Sequence, residues 1–202
     1  MDVLRVDPDH PDPGVVARAA KLLEEGEVIA GPSDTVYGFL GRPSRPEAIG
    51  TLRRLKGRDG PFIHLVASLE SARSLAGPVP EPIWERIERV WPGPVTVVLP
   101  ARAGKTIALR MPNLTLLVAI VSRVGEPLIS TSANPAGAPP PMSAEEVLGA
   151  FPQDALPLLL DGGRAPSREP STLVDLSGKS ARVLRHGVGD PAPLLDPPLW
   201  SP

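Results

Sequence analysis

The sequence predicts a single α/β (α+β) domain, a twisted mixed β-sheet flanked by helices, and three observations carry that expectation. Strand-like and helix-like segments alternate along nearly the whole chain, the pattern of a sheet with helical connections. The polar segments that interrupt them fall at strand ends, where sheets of this class present functional groups. With 202 residues and 42% hydrophobic content, the chain suits one core that buries about 70% of the unfolded surface.

The elements follow in order. Asp12 supplies a capping carboxylate and Pro13 the first turn of a helix whose apolar face is Val15, Val16, Ala19, Leu22 and Leu23, stopped by Gly26. Residues 28–30 form a short buried strand. Ser44 with Glu47 reads as a capping box for a helix carrying Ile49, Leu52 and Leu55 and ending at Gly57. Residues 62–66 read as a strand, 68–75 and 82–90 as helices, and the β-branched run 95–99 as a strand. In the second half, 107–110 is a strand, Asn113 caps an apolar helix through Val121, 128–131 is a strand and 143–151 a helix. Strands over 158–160, 171–174 and 182–184 complete the set. From Gly189 the composition turns to Pro, Leu and Asp, which divides the chain into a domain over 1–188 and a Pro-rich tail over 189–202.

Composition narrows the function classes. A formal net charge of −2 argues against a broad nucleic-acid binder, so any basic footprint is local. Aromatic residues at 3% offer few rings for stacking bases. The absence of cysteine removes disulfides, thiolate metal ligands and a cysteine nucleophile. The amino terminus carries no signal-peptide pattern and no apolar run reaches about 18 residues, so a cytoplasmic location without a membrane span is expected.

Four segments carry chemistry. Pro32-Ser33-Asp34-Thr35-Val36-Tyr37-Gly38 is either a locally satisfied turn or a loop presenting Thr35 and Tyr37, the only tyrosine, to a polar ligand. Arg53, Arg54, Lys56 and Arg58 form either a solvated helix end or a phosphate clamp. In the clamp, Lys56 is a point charge and Arg58 a bidentate fork, with Arg53 and Arg54 facing solvent. Trp91-Pro92-Gly93-Pro94-Val95-Thr96 is a stiff structural turn, whereas Arg110 ends a strand at the rim of the sheet and meets either an anion or a neighbouring carboxylate. The strand Leu128-Ile129-Ser130-Thr131-Ser132-Ala133-Asn134 finishes in polar side chains, and unpaired buried polar atoms cost ~1–3 kcal/mol each, so it forms either a simple turn or a site wall. No hydrolase elbow, Walker loop or dinucleotide glycine motif is present, and His10, His64 and His186 lack metal-ligand spacing.

Taken in order, these segments resemble the YrdC/Sua5 family of threonylcarbamoyl-AMP synthases, over about residues 13–187. The matching pieces are Pro32 to Gly38, Lys56-Gly57-Arg58, Trp91 to Thr96, Arg110-Met111-Pro112, Ser132-Ala133-Asn134, Ser171-Thr172-Leu173-Val174-Asp175 and Leu184-Arg185-His186-Gly187. His186 stands where the family has Pro, the loop after Arg58 is short, and His64 falls one residue early in its strand, on the opposite face.

The resemblance implies a YrdC/RibB-like fold around a concave, positively lined cavity. It implies a reaction in which L-threonine, bicarbonate and ATP, with Mg²⁺ on the nucleotide, give threonylcarbamoyl-AMP and pyrophosphate. The product serves modification of A37 in ANN-decoding tRNAs through further pathway proteins, and binding of tRNA or double-stranded RNA is implied as well. Carried over by position, Lys56 and Arg58 are the catalytic cations on the triphosphate, Ser132, Asn134, Ser171 and Arg185 are further ATP contacts, and Thr35, Tyr37 and Arg110 hold threonine. No side chain is implied as a metal ligand. Two alternatives stand beside it: a non-catalytic RNA- or nucleotide-binding paralogue, and a sugar-phosphate enzyme of related fold with Asp34 and Asp59 at a metal.

Overall fold

The structure, a computed structural model, describes residues 1–57 and 59–195. In the first half the elements are β1 (Asp2–Arg5), α1 (Pro13–Glu24), β2 (Ile29–Gly31), β3 (Gly38–Gly41), α2 (Pro46–Lys56), β4 (Ile63–Leu65), α3 (Leu69–Leu75), α4 (Glu81–Glu88) and β5 (Val95–Pro100). There follow β6 (Thr106–Arg110), α5 (Thr115–Val124), β7 (Leu128–Ser132), α6 (Ala144–Ala150), β8 (Leu158–Asp161), β9 (Thr172–Asp175), β10 (Arg182–Arg185) and α7 (Ala192–Leu195). The strands form one ten-stranded sheet in the order β1-β8-β2-β3-β7-β4-β6-β5-β9-β10. The sheet is mixed: β8 pairs in parallel with β1 and β2, β4 with β6 and β5 with β9, while the remaining pairs are antiparallel.

The period-2 alternation of each strand sorts its side chains between two faces. Ile29, Leu40, Leu128, Leu158 and Leu160 pack with Val16, Leu23, Leu116 and Ile120 of α1 and α5. Their chain neighbours Ala30, Phe39, Ile129 and Leu159 point the other way, onto Leu52 of α2 and Val147 of α6. Farther along the sheet, Val97, Leu99, Leu109 and Val174 pack with Ala72, Ile83 and Leu194 of α3, α4 and α7. The α1/α5 cluster contains no residue of β6, β5, β9 or β10 among the described residues. On that side the same sheet face is open, and it floors the site.

Most local signals act as expected. Oδ1 of Asp12 accepts from the amides of Gly14 (2.8 Å) and Val15 (3.1 Å), and Ser68 and Ser143 cap α3 and α6. Gly57 closes α2 in the left-handed region at φ 63°, which only glycine adopts freely. Two caps are placed differently. Ser44 Oγ donates to Glu126 at 2.7 Å and the capping box does not form, because the acidic partner lies across the fold rather than one turn on. Asn113 does not cap α5 with its side chain; its amide donates to Asp34 Oδ2 at 3.0 Å, and the helix runs on to Val124 and Gly125.

Two strands have no counterpart in the sequence-based reading. β1 is an edge strand half made of charged residues, and β3 is bounded by glycines, so neither shows a strand signature. Within the stretch read as a tail, residues 192–195 form α7, and Leu194 is fully buried against the α3/α4 cluster.

Candidate functional site

Strand register builds the site floor. Leu40, Ser130, Ile63, Ala108 and Val98 lie in one row across five adjacent strands, and Gly31, Gly38 and Ser132 form the next row. All eight line a cavity of about 450 Å³, a volume within the range of small-molecule sites. The floor is apolar apart from Ser130 and Ser132, and further polar groups converge from Thr35, Arg110, Ser171 and Arg185.

Arg110 is 5% exposed and reaches the cavity from the end of β6. Its Nε donates to the Gly93 carbonyl (3.1 Å), Nη1 to Thr35 Oγ1 (3.2 Å) and Nη2 to Asp34 Oδ1, with which it forms a buried ion pair. Of the two outcomes foreseen for Arg110, the neighbouring carboxylate is the one the structure shows, and the residue still lines the cavity. Three of its five N–H groups are engaged among the described residues, leaving one on each terminal nitrogen.

The far wall comes from β9 and β10. Arg185 donates through Nε (3.2 Å) and Nη2 (2.9 Å) to the Ser171 carbonyl, while Ser171 Oγ pairs with Thr96 Oγ1 at 2.8 Å. Desolvation first, and the nearby Arg110 charge second, lower the pKa of Arg185. A guanidinium remains charged at any working pH. Two mutually repelling cations at one cavity make it a site for anions.

Lys56 is 4% exposed, and its ammonium is used inside the wall. Nζ donates to the carbonyls of Ser132 (2.9 Å) and Asn134 (2.6 Å) and to Asn134 Oδ1 (3.1 Å), with Ser132 Oγ at 3.4 Å. Lys56 and the Ser-Ala-Asn turn thus stand on the same wall. Asn134 is spent on that wall too: its amide donates to the carbonyls of Pro135 (3.1 Å) and Ala138 (2.5 Å), and it does not line the cavity. Lys56 and Asn134, expected to contact a nucleotide directly, are here bonded within the turn that carries Ser132. Arg58 lies outside the described residues.

Tyr37 corrects an expectation. It does not line the cavity; it is fully buried in the α2/α6 cluster, with its hydroxyl donating to the Gly163 carbonyl (2.5 Å) and accepting from the Gly162 amide (3.1 Å). Strand alternation explains this, since Gly38, its chain neighbour, takes the cavity side. Burial, and then the Asp161 charge, push its pKa up to about 12. Because the folded value lies above the unfolded one, the stabilisation is complete below about pH 10 and fades as the pH rises toward 12. As the only tyrosine, Tyr37 is directly observable. Ultraviolet titration is expected to show phenolate appearing near pH 12 in the native protein and near pH 10 in denaturant; a native midpoint at 10 would contradict the buried placement.

His64 sits opposite Ile129 in register, on the face away from the cavity, and no role falls to it. Asp34 and Asp59, weighed as an acidic pair, are held by different arginines, Asp34 by Arg110 and Asp59 by Arg53 (3.0 Å). The described residues contain no group of three or more His, Asp or Glu able to hold a metal ion, and none of their helices is long and apolar enough to cross a membrane. The partnership of Asp34 with Arg110 and the floor position of Ser130 went unpredicted. Ser130 was within reach, since Leu128, Ser130 and Ser132 alternate on one face.

The chain matches the family of Sua5, yciO and yrdC, described as "Telomere recombination", over residues 21–187. It is 35% identical over 184 residues to the threonylcarbamoyl-AMP synthase of Bacillus subtilis (strain 168), covering 85% of this chain and 53% of that protein. It is 34% identical over 181 residues to the threonylcarbamoyl-AMP synthase of Nitrosococcus oceani, covering 84% of this chain and 96% of that one. The chain therefore spans about half the length of some curated relatives, that of Bacillus subtilis among them, and nearly all of others. Among solved structures, P. abyssi Sua5 complexed with L-threonine superposes with a TM-score of 0.87 at 30% identity, over 93% of this chain and 58% of that one. E. coli YciO shares the fold, with a TM-score of 0.88 at 24% identity over 96% of this chain and 100% of its own.

Proposed function

The chain belongs to the Sua5/YciO/YrdC family, and from that membership we propose that it is an L-threonylcarbamoyladenylate synthase. In this proposal it is a nucleotidyltransferase that makes threonylcarbamoyl-AMP and pyrophosphate from L-threonine, bicarbonate and ATP. The observation that supports it best is the convergence of the Arg110 and Arg185 guanidiniums with Thr35, Ser132 and Ser171 on one cavity with a largely apolar floor. The product serves A37 of ANN-decoding tRNAs in the cytoplasm, handed on by t6A-pathway proteins, with tRNA or double-stranded RNA as a further partner.

Each cavity group has a use in that reaction. The two remaining N–H groups of Arg110 match the two oxygens of an amino-acid carboxylate in a bidentate pair. Leu65, the register partner of Arg110, and Leu117 offer apolar surface to a short side chain. Ser132, Ser171 and Arg185 face the phosphates, Lys56 and Asn134 hold Ser132 in place, and Arg58 is assigned to the triphosphate by its position in the motif. The lining offers donors rather than carboxylates, so Mg²⁺ would arrive on the nucleotide as part of the substrate and would supply neutralisation of phosphate charge there.

No side-chain nucleophile is needed. The threonine amine captures carbon dioxide derived from bicarbonate, and a carbamate oxygen attacks the α-phosphorus of ATP. The bond between the α-phosphorus and the bridging oxygen breaks, and pyrophosphate leaves with the electron pair. The chain's contribution is to align carbamate and phosphate and to neutralise charge as it moves onto the leaving group. Purified protein is expected to release pyrophosphate from ATP only when both L-threonine and bicarbonate are present. Tight RNA binding without such release would overturn the synthase assignment in favour of a binding module.

A further inference from the structure

The guanidinium of Arg110 is gripped by loops far apart in the chain. Gly93 of the Trp-Pro-Gly-Pro turn takes Nε, Thr35 takes Nη1 and Asp34 takes Nη2. Only one of the three holders is charged. The Asp34 side chain is 10% exposed, and its second oxygen accepts from the Asn113 amide at 3.0 Å, ahead of α5. One oxygen of the carboxylate is thus anchored on the Asn113 amide while the other holds Arg110. A charge-assisted bond of this kind is shorter and stronger than the neutral contacts to Gly93 and Thr35, so it dominates the direction in which the fork points.

Charge points the same way. Arg110 and Arg185 stand close enough for one to disturb the other, and no other carboxylate is bonded to either among the described residues. Without a compensating anion their repulsion favours Arg110 swinging out of the cavity, which the Asp34 pair opposes.

We propose that Asp34 is the positioning residue of the amino-acid end of the site: it aims the Arg110 fork and offsets its charge until the ligand carboxylate arrives. The assignment rests on the synthase reading only for the identity of the ligand, L-threonine. It differs from a purely structural role because it acts through one guanidinium and on one substrate.

The test is a KM split with a double-variant control. In pyrophosphate-release assays Asp34→Asn is expected to raise the KM for L-threonine about tenfold or more while the KM for ATP stays within about twofold. Asp34→Glu, which keeps the charge but displaces it, is expected to fall between Asn and wild type. In an Arg110→Lys background, where the fork is gone, Asp34→Asn is expected to add little further loss. Equal rises for both substrates, or a full Asp34→Asn effect persisting in the Arg110→Lys background, would overturn the proposal. A structural readout separates this inference from the synthase reading: crystals of Asp34→Asn and Asp34→Glu are expected to show the hydrogen bond from Arg110 to Thr35 broken or lengthened. If wild type shows no threonine-dependent release, the synthase reading fails, and Arg110 found unmoved in both crystals then overturns the positioning role on its own.

Discussion

Lys56→Ala is expected to lower the kcat/KM for threonine- and bicarbonate-dependent pyrophosphate release about a hundredfold, the loss that goes with a misplaced reactive group. The cause lies in what the ammonium holds. Three acceptors, the Ser132 carbonyl and the Asn134 carbonyl and side-chain oxygen, converge on Nζ within 3.1 Å. Removing the donor strands these oxygens, at ~1–3 kcal/mol for each one that water does not reach. The turn relaxes, and Ser132, which lines the cavity, moves with it. Lys56→Arg is the decisive comparison. A planar fork cannot serve acceptors clustered around a point, so the conservative exchange is expected to rescue little. If Lys56 instead only supplied positive charge to the triphosphate, Arg would restore most of the activity. Melting temperatures measured alongside separate loss of the turn from loss of the whole fold.

The sheet was legible in the sequence because it is written in apolar alternation, which needs no knowledge of what lies opposite. Nearly every strand with a β-branched or leucine run is where the pattern places it, and glycine ends α2 at Gly57 as read. What alternation cannot supply is the partner across the fold. Ser44 and Glu47 have the spacing of a capping box, yet Glu126, 82 residues away, takes the hydroxyl. Arg53 and Arg54 face solvent, as expected, and Lys56 turns inward, but its acceptors, the carbonyls of Ser132 and Asn134, lie more than seventy residues away.

The candidate site shows the same division. Residue types and order pointed to Thr35, Arg110, Ser132, Ser171 and Arg185, all of which line one cavity. Tyr37 shares a motif with Thr35 and lies two residues away, so period 2 alone would set them side by side; the loop between β2 and β3 breaks that period. Its hydroxyl then finds the backbone of residues 162 and 163, a contact separated by more than a hundred residues. Motif membership identified the segment that matters without saying which of its side chains faces the ligand.

Gly187→Ala is expected to destabilise the protein by about 3 kcal/mol or more, at the upper end of overpacking effects, and to abolish turnover in what remains folded. A Cβ at this position would stand 2.1 Å from the Pro170 carbonyl oxygen, 2.7 Å from the Ser171 carbonyl carbon and 2.8 Å from the Thr172 amide. All three are backbone atoms, so no side chain can swing aside to make room. The segment cannot simply lift, because it is tied down on both sides of the glycine. Arg185 donates to the Ser171 carbonyl, the Gly187 amide to Thr172 Oγ1 (3.1 Å), the Val188 amide to the Pro170 carbonyl (3.0 Å), and Thr172 Oγ1 to the Gly189 carbonyl (2.5 Å). Any shift that accommodates the methyl breaks several of these at once and carries Ser171 and Arg185 away from the cavity together. Denaturant unfolding and the pyrophosphate assay on the same variant check both halves. Leu184→Ser, in β10 just before this segment but 53% exposed, is the control expected to unfold like wild type. Wild-type stability in Gly187→Ala would mean that the strap over residues 170–172 yields without cost, and that the wall carrying Ser171 and Arg185 is not held in the way these contacts require.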